Sequence, residues 1–256
     1  MRLAALAAAV LGMLLCACGS PDGAERDGAR PETRPAPGRQ VAQSSKGGMG
    51  APFHYLLYLP KRYDERKGRR WPLLLFLHGA DTPGSTRRDL ELLRPRGLPR
   101  ILERRDLPLI AVSPQTSSSW PLEPLAELLN EVEGRYAVDR RRVYVTGFSI
   151  GGYAAFDLAS AYPERFAAIA PVAGGGGRWS AHYHRETCRL RDVAVWAFHG
   201  SRDDVIPTSE SRAMVDAVKS CGGNARLTVY PGAGHYTDTK AYSEPGLYRW
   251  LLAQRR

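Results

Sequence analysis

Apolar runs recur along the chain and alternate with amphipathic stretches. Residues 53–59 alternate apolar and polar and are rich in aromatics, while residues 72–77 form a continuous apolar run, as a strand buried on both faces requires. Similar runs stand at 109–112, 143–146, 166–170, 193–198 and Ala225–Tyr230. Between them the spacing predicts helices. Residues 122–136 set Leu125, Leu128, Leu129 and Val132 on one face, and residues 209–220 do the same with Met214, Val215 and Val218. Residues 153–161 read as helix, and 246–254 carry a stripe of Leu247, Trp250 and Leu251. Strands alternating with helices of this length are joined by right-handed crossovers into a mostly parallel sheet flanked by helices, so the predicted class is α/β. In such sheets ligands gather beyond the C-terminal strand ends, and the residues just after each run are the ones to inspect.

The first fifty residues break this rhythm. After Met1-Arg2, residues 3–18 carry no charge and are mostly Ala and Leu. This is shorter than the roughly 20 residues of a spanning helix and has the length and flanks of a secretory leader. The run ends in Leu15-Cys16-Ala17-Cys18-Gly19-Ser20, which resembles the lipobox of bacterial lipoproteins, where a small residue precedes the Cys that is acylated after cleavage. Cys18, preceded by Ala17, fits that role, and Cys16, preceded by Leu15, fits it badly. The alternative is an ordinary leader cut near Ala17 or Ser20. Either way the chain is expected to be exported. Residues 21–50 are rich in Pro, Gly, Arg and Ser without apolar periodicity, and they bury too little to offset ordering entropy. The resemblance implies a signal peptide at 1–17, a disordered tether at 18–50 anchored by lipid on Cys18 to the periplasmic or surface side of a bacterial membrane, and one folded domain at 51–256.

Export changes the reading of the cysteines. With Cys16 removed and Cys18 acylated, Cys188 and Cys221 remain, either as a disulfide in an oxidising compartment or as two buried thiols that never meet. The net charge of +10 falls to +8 over residues 51–256, and Arg outnumbers Lys 31 to 5 in scattered short runs. No stretch pairs a basic stripe with interleaved aromatics, which speaks against a nucleic-acid partner.

The strand ends carry the chemistry. Run 143–146 leads into Gly147-Phe148-Ser149-Ile150-Gly151-Gly152 and then a helix, which is G-x-S-x-G with strand before and helix after. Gly147 and Gly151 bracket a turn too sharp for larger side chains, and Ser149 is left at a helix N-terminus, a candidate nucleophile with the Ile150 amide beside it. Run 193–198 ends in His199-Gly200-Ser201-Arg202-Asp203-Asp204, which puts two carboxylates on one loop. Ala225–Tyr230 ends in Pro231-Gly232-Ala233-Gly234-His235, the one His after the acids in sequence. His54 lies at an early strand, and His78 and His199 precede Gly at strand ends. His182 and His184 have no carboxylate or Cys at metal-ligand spacing and read as a solvated pair, so no metal is expected.

From Phe53 onward the chain resembles the α/β-hydrolase superfamily, and within it the exported carboxylesterases related to dienelactone hydrolase, feruloyl and acetyl-xylan esterases and polyhydroxybutyrate depolymerases. The residues that carry the resemblance are 73–79 ending in His78-Gly79, Asp139 and Arg142 with the elbow at 143–153, Tyr162-Pro163-Glu164-Arg165-Phe166-Ala167, the loop at 199–207, and Gly234-His235. The resemblance implies an α/β-hydrolase fold and a Ser149-His235-Asp203 triad, with Asp204 the alternative acid. It also implies an oxyanion hole of the Ile150 and Ala80 amides, no cofactor, and a monomer hydrolysing small or carbohydrate-linked esters. Alternatives are a serine peptidase of prolyl-oligopeptidase-like type and a non-catalytic surface binder. Trp120, after a strand end, is expected either to stack on substrate or to cover the sheet edge. Glycines 174–177 admit close approach of a ligand or serve as a connector, and Asp139 with Arg142 reads as a structural ion pair. Two departures stand out. His78-Gly79 is followed by Ala80-Asp81 where relatives often have a further Gly, and His235 is followed by Tyr236 where they tend to have Trp.

Overall fold

A computed structural model describes residues 35–48, 52–65, 68–176 and 186–256. The leader, Cys16, Cys18, His182, His184 and Gly177 lie outside the described residues. Eight strands form one sheet: β1 (Gln40–Ser44), β2 (His54–Tyr58), β3 (Trp71–Leu77), β4 (Ile110–Pro114), β5 (Val138–Phe148), β6 (Ala168–Val172), β7 (Ala194–Gly200) and β8 (Ala225–Tyr230). Their spatial order is β1-β2-β4-β3-β5-β6-β7-β8. β1 and β2 pair antiparallel, as do β2 and β4, and every pairing from β4 to β8 is parallel.

All seven residues of β3 are buried, as its unbroken apolar run requires. Alternation sends Leu73, Leu75 and Leu77 into one cluster with Leu125, Leu129 and Val132 of α2 (Leu122–Arg135) and with Val215 and Val218 of α4 (Thr208–Ser220). Leu74 and Phe76 point the other way, to Leu98 and Leu102 of α1 (Gly97–Leu102), Tyr242 of α5 (Asp238–Ser243) and Leu251 of α6 (Leu247–Ala253). The helix α3 (Ile150–Ala161) packs on the first of these faces directly after β5. The sheet thus has a core on each side, and its parallel strands end together at one edge.

One boundary differs from expectation. Residues 40–44, assigned to the tether, form the edge strand β1, in register from Gln40 opposite Tyr58 to Ser44 opposite His54. Their sequence, QVAQS, lacks apolar alternation because polar side chains take up buried contacts there: Gln40 Nε2 donates to the Pro99 carbonyl (3.0 Å) and to Glu103 Oε1 (2.6 Å). Cys188 and Cys221 are joined by a disulfide across 33 residues, with Cα atoms 5.2 Å apart.

Candidate active site

β5 delivers Phe148 to the edge of the sheet, and the chain reverses at Ser149 into α3. Ser149 has φ 56° and ψ −118°, a strained conformation for a residue with a side chain. The glycines make the turn possible. A Cβ on Gly147 would lie 2.1 Å from the Gly151 carbonyl oxygen, and one on Gly151 would lie 2.0 Å from that of Leu77, so backbone meets backbone on both sides. The Ser149 amide donates to the Val172 carbonyl at 3.0 Å, which fixes the turn to β6. Ile150 begins α3, where an amide has no acceptor within its helix.

The loops after β7 and β8 meet Ser149. His235 Nε2 lies 3.0 Å from Ser149 Oγ, and its Nδ1 lies 2.9 Å from Oδ2 of Asp203 and 3.1 Å from Oδ1. Ser149 and His235 are 7% and 8% exposed. The Asp203 carboxylate has no exposure and also accepts the amides of Val205 (3.0 Å) and Ile206 (2.8 Å) on Oδ1. Burial acts to raise its pKa, but the Ile206 amide, His235 and the Val205 amide outweigh it and hold the carboxyl below its ordinary range. Asp204 is exposed, without a place in this chain of contacts.

At the end of β3, the Thr116 amide donates to His78 Nε2 at 3.1 Å, so the ring proton sits on Nδ1 and is donated to the Gly79 carbonyl at 2.7 Å. Burial, partly opposed by that carbonyl and by Asp81, keeps His78 below the ordinary imidazole range and neutral. In a trans peptide the N–H points opposite to the C=O, so His78 also sets the direction of the Ala80 amide. Trp120 is 8% exposed, 4.7 Å from the His78 ring and 6.3 Å from Phe53, and donates its indole N–H to the His78 carbonyl at 3.2 Å. The indole is packed against His78 and Phe53 beside the loop that follows β3. Phe148 packs on His235 (5.0 Å), and Tyr236, 66% exposed, borders the same ring. Asp139 and Arg142 pair at 2.7 Å in the first half of β5, away from the strand end that carries Ser149. Among the described residues no group of three or more His, Cys, Asp or Glu could hold a metal.

The strand order, the serine turn between β5 and α3, and the acid and histidine on the next loops define an α/β-hydrolase fold. A thermostable esterase of known structure shares it, with a TM-score of 0.69 and 26% identity over 85% of this chain and 63% of that one. The sequence model of the dienelactone hydrolase family matches residues 115–243, half of the chain, and the chain belongs to that family. It is 26% identical over 147 residues to the bifunctional acetylxylan esterase/xylanase of Neocallimastix patriciarum, covering 53% of this chain and 20% of that protein. It is 28% identical over 104 residues to a putative carboxymethylenebutenolidase of Yersinia pestis, covering 40% and 39%. The chain therefore spans a fifth to two fifths of the length of these curated relatives.

Proposed function

We propose that this protein is a serine carboxylic-ester hydrolase that works through an acyl-enzyme. The observation that carries this reading is the unbroken contact from Ser149 Oγ through both nitrogens of His235 to Asp203, with the serine held on a strained turn. In the proposed cycle His235 takes the Ser149 proton as Oγ attacks the ester carbonyl, and returns it to the leaving alcohol. Asp203 holds the tautomer with Nδ1–H facing it and stabilises the imidazolium. The amides of Ile150 and Ala80 receive the oxyanion, a contribution of about 3 kcal/mol per donor in studied enzymes. Water then repeats the sequence on the acyl-enzyme. The Neocallimastix relative acts, by its name, on acetylated xylan, and this supports small or carbohydrate-linked esters as the substrate class here.

Ser149→Ala is expected to lower kcat for an aryl acetate on the order of a million-fold and to abolish labelling by a fluorophosphonate. A folded Ser149→Ala protein that keeps its activity defeats the assignment. A panel of aryl esters, acetylated or feruloylated sugars and peptide amides locates the substrate and separates esterase from peptidase.

We further propose that the chain is exported and acylated at Cys18, supported by the uncharged residues 3–18 ending in Ala17-Cys18. Cells fed a radiolabelled or alkyne-tagged fatty acid are expected to label the wild type and not Cys18→Ser. Equal labelling of the two rejects that site.

A further inference from the structure

A second histidine lies behind the acid. We propose that His199 is a doubly protonated positioning residue that holds Asp203 and its loop in place, an inference that rests on Asp203 being the acid of the triad.

His199 stands in β7, four residues before Asp203, and is fully buried. Its Nε2 lies 2.9 Å from the Ile206 carbonyl oxygen and 3.0 Å from Oδ2 of Asp203. Both are acceptors, so Nε2 carries a proton. Its Nδ1 lies 2.7 Å from Oγ of Ser211, on the first turn of α4, and Ser211 is itself fully buried. Ser211 has one hydroxyl proton, and it donates that proton to the Gly174 carbonyl at 2.5 Å, since a carbonyl only accepts. The hydroxyl then offers His199 a lone pair, and Nδ1 must be the donor. Counting protons across these contacts makes the ring an imidazolium.

This cation answers a difficulty in the site. The Asp203 carboxylate has no solvent exposure, and the His235 that faces it is neutral whenever it is ready to accept the serine proton. A buried carboxylate without a counter-charge is costly, and an imidazolium 3.0 Å away supplies one. The same ring grips the loop twice, at the carboxylate and at the Ile206 carbonyl, while the Ile206 amide donates back to Asp203. Oδ2 is thereby kept on the line to His235.

The contacts continue to the nucleophile turn. Ala173, at the end of β6, adopts φ 47°, and Gly174 lies so close to α3 that a Cβ on it would be 2.6 Å from the Gly152 carbonyl carbon. Gly152 donates its amide to the Ser149 carbonyl at 2.8 Å. Acid and nucleophile are thus joined from behind through His199, Ser211 and Gly174, by a buried network that does not cross the substrate side.

The test is side-chain NMR of wild-type protein labelled with 15N-histidine at pH 7.5, with the His199 ring assigned through its contacts to Ser211 and Ile206. Two ring N–H protons on His199 are expected, and a single protonated nitrogen overturns the proton count. In kinetics, His199→Phe is expected to lower kcat on the order of a hundredfold with KM unchanged. His199→Gln, which keeps a donor towards Ile206 and Asp203, is expected to recover part of that loss. A folded His199→Phe protein with wild-type kcat overturns the positioning role. The NMR count needs neither variant to fold. It is also independent of the hydrolase assignment, which fails separately if wild-type protein does not take the fluorophosphonate on Ser149.

Discussion

Ser149 and Ala173 are the two described non-glycine residues with positive φ, and both sit where strands β5 and β6 leave the sheet. Strain of this kind costs on the order of 1–3 kcal/mol per residue and persists only where the surroundings over-determine it. Here the surroundings are the Ser149 amide on Val172 and the Ala173 amide on Phe198, at 3.0 and 2.8 Å. Electrostatics at single residues also sets the response to acid. Burial acts to raise the Asp139 carboxyl, but the Arg142 hydrogen bond, the Arg141 amide and the charges of Arg142 and Arg255 outweigh it, so its pKa is lowered in the fold, as is that of Asp203. A carboxyl with a lowered folded pKa contributes its full stability above the unfolded value, near 3.8, and loses it as pH falls through the folded value. Calorimetry between pH 2.5 and 7 is expected to show Tm falling on acidification below that value. Asp139→Asn is expected to lower Tm at neutral pH by about 2–4 °C per kcal/mol lost and to flatten the acid fall. An identical acid slope in the two proteins removes Asp139 from the explanation.

At the scale of elements, the long apolar runs were legible and the short polar ones were not. The runs at 72–77 and 193–198 correspond to β3 and β7 within two residues at either end, because strands buried on both faces leave no ambiguity of period. β1 escaped because its five residues carry no alternation and its buried Gln40 depends on α1 and Glu103, distant in sequence. α1 and α5, six residues each, are too short for a helical period to declare itself. The missed strand has a consequence. A chain beginning at residue 51 lacks β1 and leaves the backbone of His54–Tyr58 as an open edge beside fully buried apolar side chains. Such a truncation is expected to be aggregation-prone and to elute as large species on size exclusion, whereas a chain beginning at residue 35 is expected to stay dispersed. Equal behaviour of the two would mean that β1 is dispensable. The candidate site divides in the same way. Ser149, His235 and a carboxylate at 203 or 204 could be placed at strand ends from the sequence, and the family resemblance named Asp203; the structure brings Ser149, His235 and Asp203 within hydrogen-bond reach of one another. His199 was visible as His-Gly four residues before Asp203, but its partners could not be. Ser211 and Gly174 reach it only through the stacking of α4 and the β6 exit on β7.

For the whole molecule, one sheet carries a core on each face, with a small third cluster of Leu56, Leu90 and Leu93 beside β2, and the sequence already pointed to a single α/β unit. The positive charge takes on a different meaning. Many of the arginines at the lower end of the sheet are engaged: Arg140 and Arg165 with Glu133, Arg142 with Asp139, and Arg141 with the carbonyl of Arg256. They fasten elements together rather than offering a free basic face. The disulfide does the same by covalent means. Cys188 precedes β7 and Cys221 follows α4, so the enclosed stretch contains His199, Asp203 and Ser211 but neither Ser149 nor His235. The chain therefore contains a covalent ring, and Asp203 is mounted on it. A protease that cuts once between residues 188 and 221 opens the ring but leaves the two halves joined through the disulfide, and they are freed of that covalent link only on reduction.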